Sequence, residues 1–258
     1  MKKEIKVMSF NLRMDTDWDK ENRFSKRTDL VKKAIEREDP DLIGFQEVLP
    51  SMREWLRANM EGYTVIGCGR ERDLSGESMT MAIRNDAFEL TGFETKWLSG
   101  TPDIPGSTYG GDQSGCPRTF SSAKLWHRGS GRFIQFVNTH LDHEGRIARY
   151  RSAMQLIEAL EGYGLPFVLV GDFNASPDSP EIELIKSAVI NSKPVRECTE
   201  GVEPTYHDYG RLPPEKSARI DYIFTDTDFQ EGRIVPDLHE GGRYYSDHFA
   251  VAATILPE

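Results

Sequence analysis

The apolar positions of this chain follow two alternating periods. Residues 5–12 alternate and read as a strand. Within Ser25–Glu38, Leu30, Val31, Ala34 and Ile35 fall at helical spacing, and Asp39-Pro40 ends that helix. Asp41–Val48 is a second strand. Ser51–Met60 is a second helix, with Ser51 and Glu54 in capping-box register. From Tyr63 to Leu141 strand follows strand with no helix between them: Tyr63–Cys68, Ser78–Arg84, Phe88–Leu98, Thr119–His127 and Phe133–Leu141. A helix over Ile147–Leu160 precedes the apolar strand Pro166–Val170. Ser179 as N-cap with Pro180 at the first helical position opens a further helix to about Val189. Strands at Ile220–Thr225, Gly232–Val235 and Phe249–Leu256 complete the series. Gly100–Pro117, rich in Gly, Pro, Ser and Thr, is a long loop of the kind that is often functional.

Four helices cannot cover both faces of every sheet that so many strands would make, as a doubly wound fold requires. Consecutive strands joined by short turns favour antiparallel sheets packed face to face with helices outside. The expected class is α/β, a four-layer α-β-β-α sandwich of two packed, mostly antiparallel sheets. No repeat or low-complexity linker interrupts the pattern, so residues 1–258 read as a single domain.

Composition adds limits to this picture. The chain has 258 residues, 38% of them hydrophobic, enough for a sizeable core. Its formal net charge of -10 counts against a protein that grips long stretches of nucleic acid. Cys68, Cys116 and Cys198 form no CxxC pair, which fits a reducing compartment. No run has the length of a membrane span, and "MKKEIKVMSFNL" lacks an apolar signal-peptide core. The expectation is a cytoplasmic monomer with no membrane partner.

The chemistry lies at the strand ends. "PFVLVGDFNASPDSP" runs an apolar strand into Asp172 and Asn174, which share one side of the chain if the extended conformation continues. A single such ending is an ordinary turn, but the pattern recurs. Asn11 lies in "VMSFNL", Glu47 in "DLIGFQEV" and His140 in "FIQFVNTHLDH"; Asp221 opens "RIDYIF", and Asp247 and His248 close "YYSDHFAV". Packed sheets would gather these ends at one rim as a polar crater. The set is rich in oxygen ligands and has no thiolate, which suits a hard cation such as Mg²⁺ or Mn²⁺, with Asn11, Glu47 and Asp247 as candidate ligands. "HEGRI" at His143 lacks the second histidine of a zinc motif, and phosphate-cradling glycine loops and a serine-nucleophile elbow are absent. A hard metal with two histidines and unpaired Asp and Asn suits phosphate-ester hydrolysis.

The series "SFN", "FQEV", "NTHLDH", "GDFNASP", "IDYIF" and "SDHF" resembles the endonuclease/exonuclease/phosphatase superfamily, in the right order from Asn11 to His248. That group includes pancreatic deoxyribonuclease, exonuclease III-type nucleases, inositol polyphosphate 5-phosphatases and neutral sphingomyelinases. The resemblance implies the four-layer fold. It also implies metal held by Asn11 and Glu47 with Asp247 beside it, and water oriented or deprotonated by Asp172 with help from Asn174. His248, oriented by Asp221, would bind phosphate or act as base, and His140 would stabilise phosphate or protonate the leaving group. Glu77 sits where some members carry a Glu partner for His140, and Arg118 resembles the substrate-contacting Arg of bacterial members. Arg13 stands where some repair nucleases carry an acid, which puts a second metal in doubt. Asp142, His143, Arg146 and Arg149, just past His140, would form a further shell around a phosphate, because arginines and helix N-termini favour anions. The leading expectation is a Mg²⁺- or Mn²⁺-dependent phosphoesterase acting on a phosphorylated small molecule. The alternatives are a nuclease with a locally basic groove acting on DNA or RNA, and a non-catalytic binding module of the same fold.

Overall fold

The structure, a computed structural model, describes residues 3–236 and 238–257. The first half contains β1 (Ile5–Asn11), α1 (Phe24–Glu38), β2 (Leu42–Val48), α2 (Pro50–Asn59), β3 (Tyr63–Ile66), β4 (Ser78–Arg84), β5 (Phe88–Trp97) and β6 (Thr119–His127). Then come β7 (Arg132–His140), α3 (Arg146–Tyr163), β8 (Phe167–Asp172), α4 (Pro180–Lys186), β9 (Val189–Ile190), β10 (Lys193–Pro194) and β11 (Arg196–Glu197). The chain finishes with β12 (Asp221–Thr225), β13 (Asp228–Ile234), β14 (His239–Glu240), β15 (Arg243–Tyr244) and β16 (Val251–Leu256).

Two six-stranded sheets dominate, in the orders β13-β16-β1-β2-β4-β3 and β11-β12-β8-β7-β6-β5. Each has one parallel pair at its centre, β1 with β2 and β7 with β8, and antiparallel neighbours elsewhere. The sheets pack face to face through Val7, Leu42, Met81, Phe136, Val168, Val170 and Ile255. Helices α1 and α2 cover the outer face of the first sheet through Leu30, Val31, Ile35, Met52 and Leu56. Helices α3 and α4 cover the second through Leu156, Leu160, Ile182 and Ile185. The expected four layers are present, because strands buried on both faces need helices outside them. Among the described residues, no helix is long and apolar enough to cross a membrane.

Three local expectations change. The predicted capping box does not form: α2 starts one residue early, at Pro50, with Leu49 as N-cap and no side-chain cap bond. Proline at the first helical position satisfies that terminus instead, since its missing N–H would have had no partner. Ser179 does precede α4 with Pro180 inside it, but its hydroxyl turns back to the Ser176 carbonyl, and α4 ends at Lys186. Helix α3 runs on to Tyr163 and ends at Gly164 in the left-handed conformation that glycine favours.

Candidate active site

The crater follows from strand direction. Parallel pairing aligns the C-terminal ends of β1 and β2, and those of β7 and β8, so Asn11 lies opposite Gln46 and His140 opposite Asp172. Antiparallel β12 then sets its first residue, Asp221, opposite Asp172. The turn before β16 delivers Asp247 and His248 to the same rim, and all of Asn11, His140, Asp172, Asp221, Asp247 and His248 are buried.

Two of these positions depend on departures from regular strand. The β2–β4 register shifts between Phe45 and Val48, and Glu47 takes a positive φ of 59°. That bulge lets consecutive residues serve different layers. Gln46 points between the sheets, where its Nε2 donates to Asn138 Oδ1 at 2.7 Å, while Glu47 lines the crater. Asn174 also has a positive φ, 48°, so the extended conformation does not continue past Asp172. The Asp172 carboxylate itself makes the turn by accepting the Asn174 backbone N–H at 2.9 Å. The pair converges through a turn rather than through strand alternation.

The side chains form one connected network. Asn11 Nδ2 donates to Glu47 Oε1 at 3.1 Å and to Asp172 Oδ2 at 2.9 Å, and its Oδ1 accepts the Arg13 N–H at 2.8 Å. The amide therefore links the two carboxylates, with its oxygen already engaged. His248 Nδ1 is 2.8 Å from Asp221 Oδ2, and its Nε2 lies 3.8 Å from Asp172 Oδ2. His140 Nε2 is 3.5 Å from the same oxygen and 3.0 Å from Asn174 Nδ2. Burial and the Asp221 charge push Asp172 up to about 7. Burial opposes charging of His248, but Asp221, Asp172 and Asp247 together raise it to about 10. Burial and the charges of Arg118 and Arg70 hold His140 well below the usual histidine range. Their surroundings thus push the two histidines in opposite directions.

A cavity of about 380 Å³ opens over this network, lined also by Arg13, Arg70, Glu77, Cys116, Arg118, His143 and Tyr206. Arg118 is buried, held by Asp142 at 3.3 Å and by His143 Nδ1 at 2.7 Å. Asp142 is the hub of that wall. Its carboxylate also accepts from the N–H groups of Ser114, Glu144 and Gly145 and from the Ser114 hydroxyl. The long loop is pinned here too, because Asp112 accepts the Ile147 and Ala148 N–H groups and so caps α3. Gly145 permits that contact, since a Cβ there would stand 2.7 Å from the Asp112 carbonyl oxygen.

Two expected residues sit differently. Glu77 lines the cavity but makes a two-pronged ion pair with Arg70, at 2.8 and 2.9 Å, and His140 Nδ1 has no hydrogen-bond partner among the described residues. The Arg70 fork matches both carboxylate oxygens, so it takes the glutamate that the histidine lacks. Arg149 is outside the crater: it bonds Glu181 at 2.6 Å and the Asp142 carbonyl at 3.0 Å, tying α3 to α4. Arg70 and Tyr206, whose ring lies 5.0 Å from that of His248, were not identified from the sequence. Arg70 stands in the charged turn "GRERD", where nothing separates it from solvated neighbours, and Tyr206 lies in irregular chain that carries no period.

The sequence profile of the endonuclease/exonuclease/phosphatase family matches residues 8–248, a span that contains every residue of this network. The chain belongs to that family. Its members are hydrolytic phosphoesterases. An endonuclease/exonuclease/phosphatase protein from Bacteroides vulgatus is 30% identical, with a TM-score of 0.91 and 100% of both chains covered. A Bacteroides thetaiotaomicron protein described as a mannosyl-6-phosphatase is 26% identical, with a TM-score of 0.85 over 96% of this chain and 98% of that one. Danio rerio TDP2 complexed with a single-strand DNA product shares the fold at 16% identity and a TM-score of 0.72, covering 98% of this chain and 99% of the other. A mimivirus protein, L388, is 26% identical over 186 residues, 66% of this chain and 67% of its own length.

Enzymes of this family use divalent metals, and the donor set fits a hard cation. Glu47 and Asp247 are carboxylates on one side of the crater. The Arg13 guanidinium stands 3.7 Å from Glu47 and 3.8 Å from Asp247, beyond good hydrogen-bond range. Burial and the Glu47 charge raise Asp247, a repulsion that a bound cation would relieve. Asp172, Asp221 and His248 also place ligand atoms within 4.8 Å of one another. Asp221 Oδ2 already bonds His248 Nδ1, so that trio orients a histidine.

Proposed function

We propose that this protein is a Mg²⁺- or Mn²⁺-dependent hydrolase that transfers a phosphoryl group from a small phosphorylated molecule to water. The observation that carries the reading is the placement of Asp172. It lies within 4 Å of both ring nitrogens that face the cavity, beside the carboxylate pair Glu47 and Asp247. Glu47 and Asp247 would hold the metal, with Asn11 fixing Glu47. When bound, the metal neutralises charge on the phosphate oxygens. Asp172 takes the proton of the attacking water, whose position Asn174 helps to set. His248, locked by Asp221, presents Nε2 to the phosphate, and His140 faces it from the other side. Arg118, held rigid by Asp142, supplies a further anion contact. The acidic chain favours a small substrate over a polymer. The B. thetaiotaomicron relative, by its description a sugar phosphatase, favours a monoester.

The test is hydrolysis of a phosphomonoester, a phosphodiester, single-stranded DNA and RNA, with Mg²⁺, Mn²⁺ or chelator, by wild type and Glu47→Ala. Chelator-sensitive release of phosphate from the monoester, lost in the variant, supports the reading. Preferential cleavage of nucleic acid would make it a nuclease. Metal binding without turnover on any substrate would leave a binding module.

A further inference from the structure

Beside the crater lies a second cavity of about 640 Å³, between the first turn of α3 and the loop that leads from β8 into α4. Asn174 lines both cavities, so the groove begins where the reacting phosphate would be held. We propose that this groove seats the alcohol portion of the ester and that it is built for a polyhydroxylated, sugar-like group. The inference rests on the phosphoesterase reading above and adds where the leaving group goes.

Three features of the wall carry it. One side carries apolar side chains: Ile147 and Tyr150, one helical turn apart, are 60% and 39% exposed, and each lines the groove. An exposed aromatic side chain beside an aliphatic one suits the C–H face of a sugar. The facing side is a row of oxygen groups, Ser176, Asp178 and Ser179. Asp178 is exposed, and its Oδ1 takes the Ser176 hydroxyl at 2.6 Å. An ionised carboxylate accepts only, so its natural ligand is a hydroxyl donor. The floor is rigid, because Arg149 and Glu181, both buried, are joined at 2.6 Å. At the rim, Arg146 makes no hydrogen bond or ion pair with any described residue, which leaves its guanidinium free to donate to hydroxyl oxygens. The volume lies in the range of small-ligand sites and exceeds the need of a phosphate alone.

The experiment compares hexose 6-phosphates, a nucleoside 5′-monophosphate and p-nitrophenyl phosphate on the full chain with Mg²⁺, for wild type, Tyr150→Ala and Asp178→Ala. Both side chains are exposed and outside the catalytic network, and thermal melts confirm that the variants fold. The expected result is a KM for hexose 6-phosphates raised at least 5-fold, with kcat/KM on p-nitrophenyl phosphate within 2-fold of wild type. Hexose 6-phosphate binding is measured in parallel by calorimetry with chelator present, so that the groove is read without turnover. A 5-fold loss of binding in the variants supports the subsite even if hydrolysis fails, which would then be a failure of the enzymatic reading alone. The subsite is overturned if both variants treat all substrates alike. It is also overturned if wild type hydrolyses p-nitrophenyl phosphate but neither binds nor hydrolyses a hexose 6-phosphate, or if the nucleotide is the substrate that depends on Tyr150.

Discussion

Asp142→Asn tests whether the wall that holds Arg118 is built on charge. The native carboxylate is 1% exposed and accepts from three backbone N–H groups, the Ser114 hydroxyl and Arg118. Burial alone would raise its pKa, but the Gly145 N–H, Ser114 and the Arg118 charge lower it to about 2 from an ordinary 3.8. At roughly 1.4 kcal/mol per unit, the shift corresponds to at most about 2 kcal/mol of folding stability, less whatever solvent screens. Asparagine keeps the oxygen that faces the three backbone donors. It sets an NH₂ group where the second oxygen met the Arg118 Nε–H, so donor faces donor and the guanidinium loses its counter-charge. The expected effect at pH 7 is a loss of about 2 kcal/mol, which for a chain of this size lowers Tm by about 4–8 °C.

The pH dependence gives the sharper check. A carboxylate whose folded pKa is depressed stabilises the protein fully above its unfolded value, near 3.8, and loses that contribution as pH falls through about 2. The gap in urea midpoint between wild type and variant should therefore be constant from pH 7 to about pH 5 and narrow below pH 4. Other carboxylates titrate in both proteins and cancel in the difference. A Tm change under 1 °C at pH 7, or a gap that stays undiminished as low as the wild type remains folded, would refute the reasoning.

Three further outcomes are expected. Glu47→Ala should cut Mg²⁺-supported phosphate release by at least about 100-fold and abolish the response to chelator, measured as initial rates; a variant still inhibited by chelator would place the metal elsewhere. Asp221→Asn removes the charge of the acceptor that sets the His248 ring, 2.8 Å from Nδ1, and lets an NH₂ group face the ring, and should lower kcat by about 100-fold with the fold intact by circular dichroism. Gly171→Ala would place a Cβ 2.3 Å from the Thr139 carbonyl oxygen of the adjacent strand, and should cost about 2 kcal/mol or more in urea unfolding while displacing Asp172.

The layer architecture was legible because buried strands and amphipathic helices leave different periods, and most element bounds fall within a few residues of where the pattern puts them. What the pattern could not carry is local closure by side chains. Nothing in "LPSMREW" says that Pro50 rather than Ser51 manages the terminus of α2, because both residues favour a helix start. Nor does a period of two reveal that Glu47 sits in a bulge. An alternating reading of "FQEV" would send Gln46 and Glu47 to opposite faces of one sheet, whereas one lies between the sheets and the other lines the crater. The Arg70–Glu77 pair was hidden for another reason: exposed and buried ion pairs look alike until their burial is known.

Strand direction explains which crater residues announce themselves. At the centre of each sheet a parallel pair brings two C-terminal ends to the rim, and these supply Asn11, Glu47, His140 and Asp172 after long apolar runs. The flanking strands β16, β4, β12 and β6 run the other way and meet the rim with their N-terminal ends. They supply the Asp247–His248 turn, Glu77, Asp221 and Arg118. A polar residue after an apolar run stands out, because the run fixes its face and its burial. A polar residue before a run looks like any solvated strand start, and its burial depends on a neighbouring strand that enters from far away in sequence. Arg118 is buried only because Asp142 and the long loop close over it from beyond β7. The pattern therefore marks the C-terminal residues most plainly, whereas Asp221, Asp247 and His248 stand out only as members of the recurring series. Arg118 and Asp142 are marked only by resemblance and by their place in the chain, and Arg70 becomes legible only once the sheets are assembled.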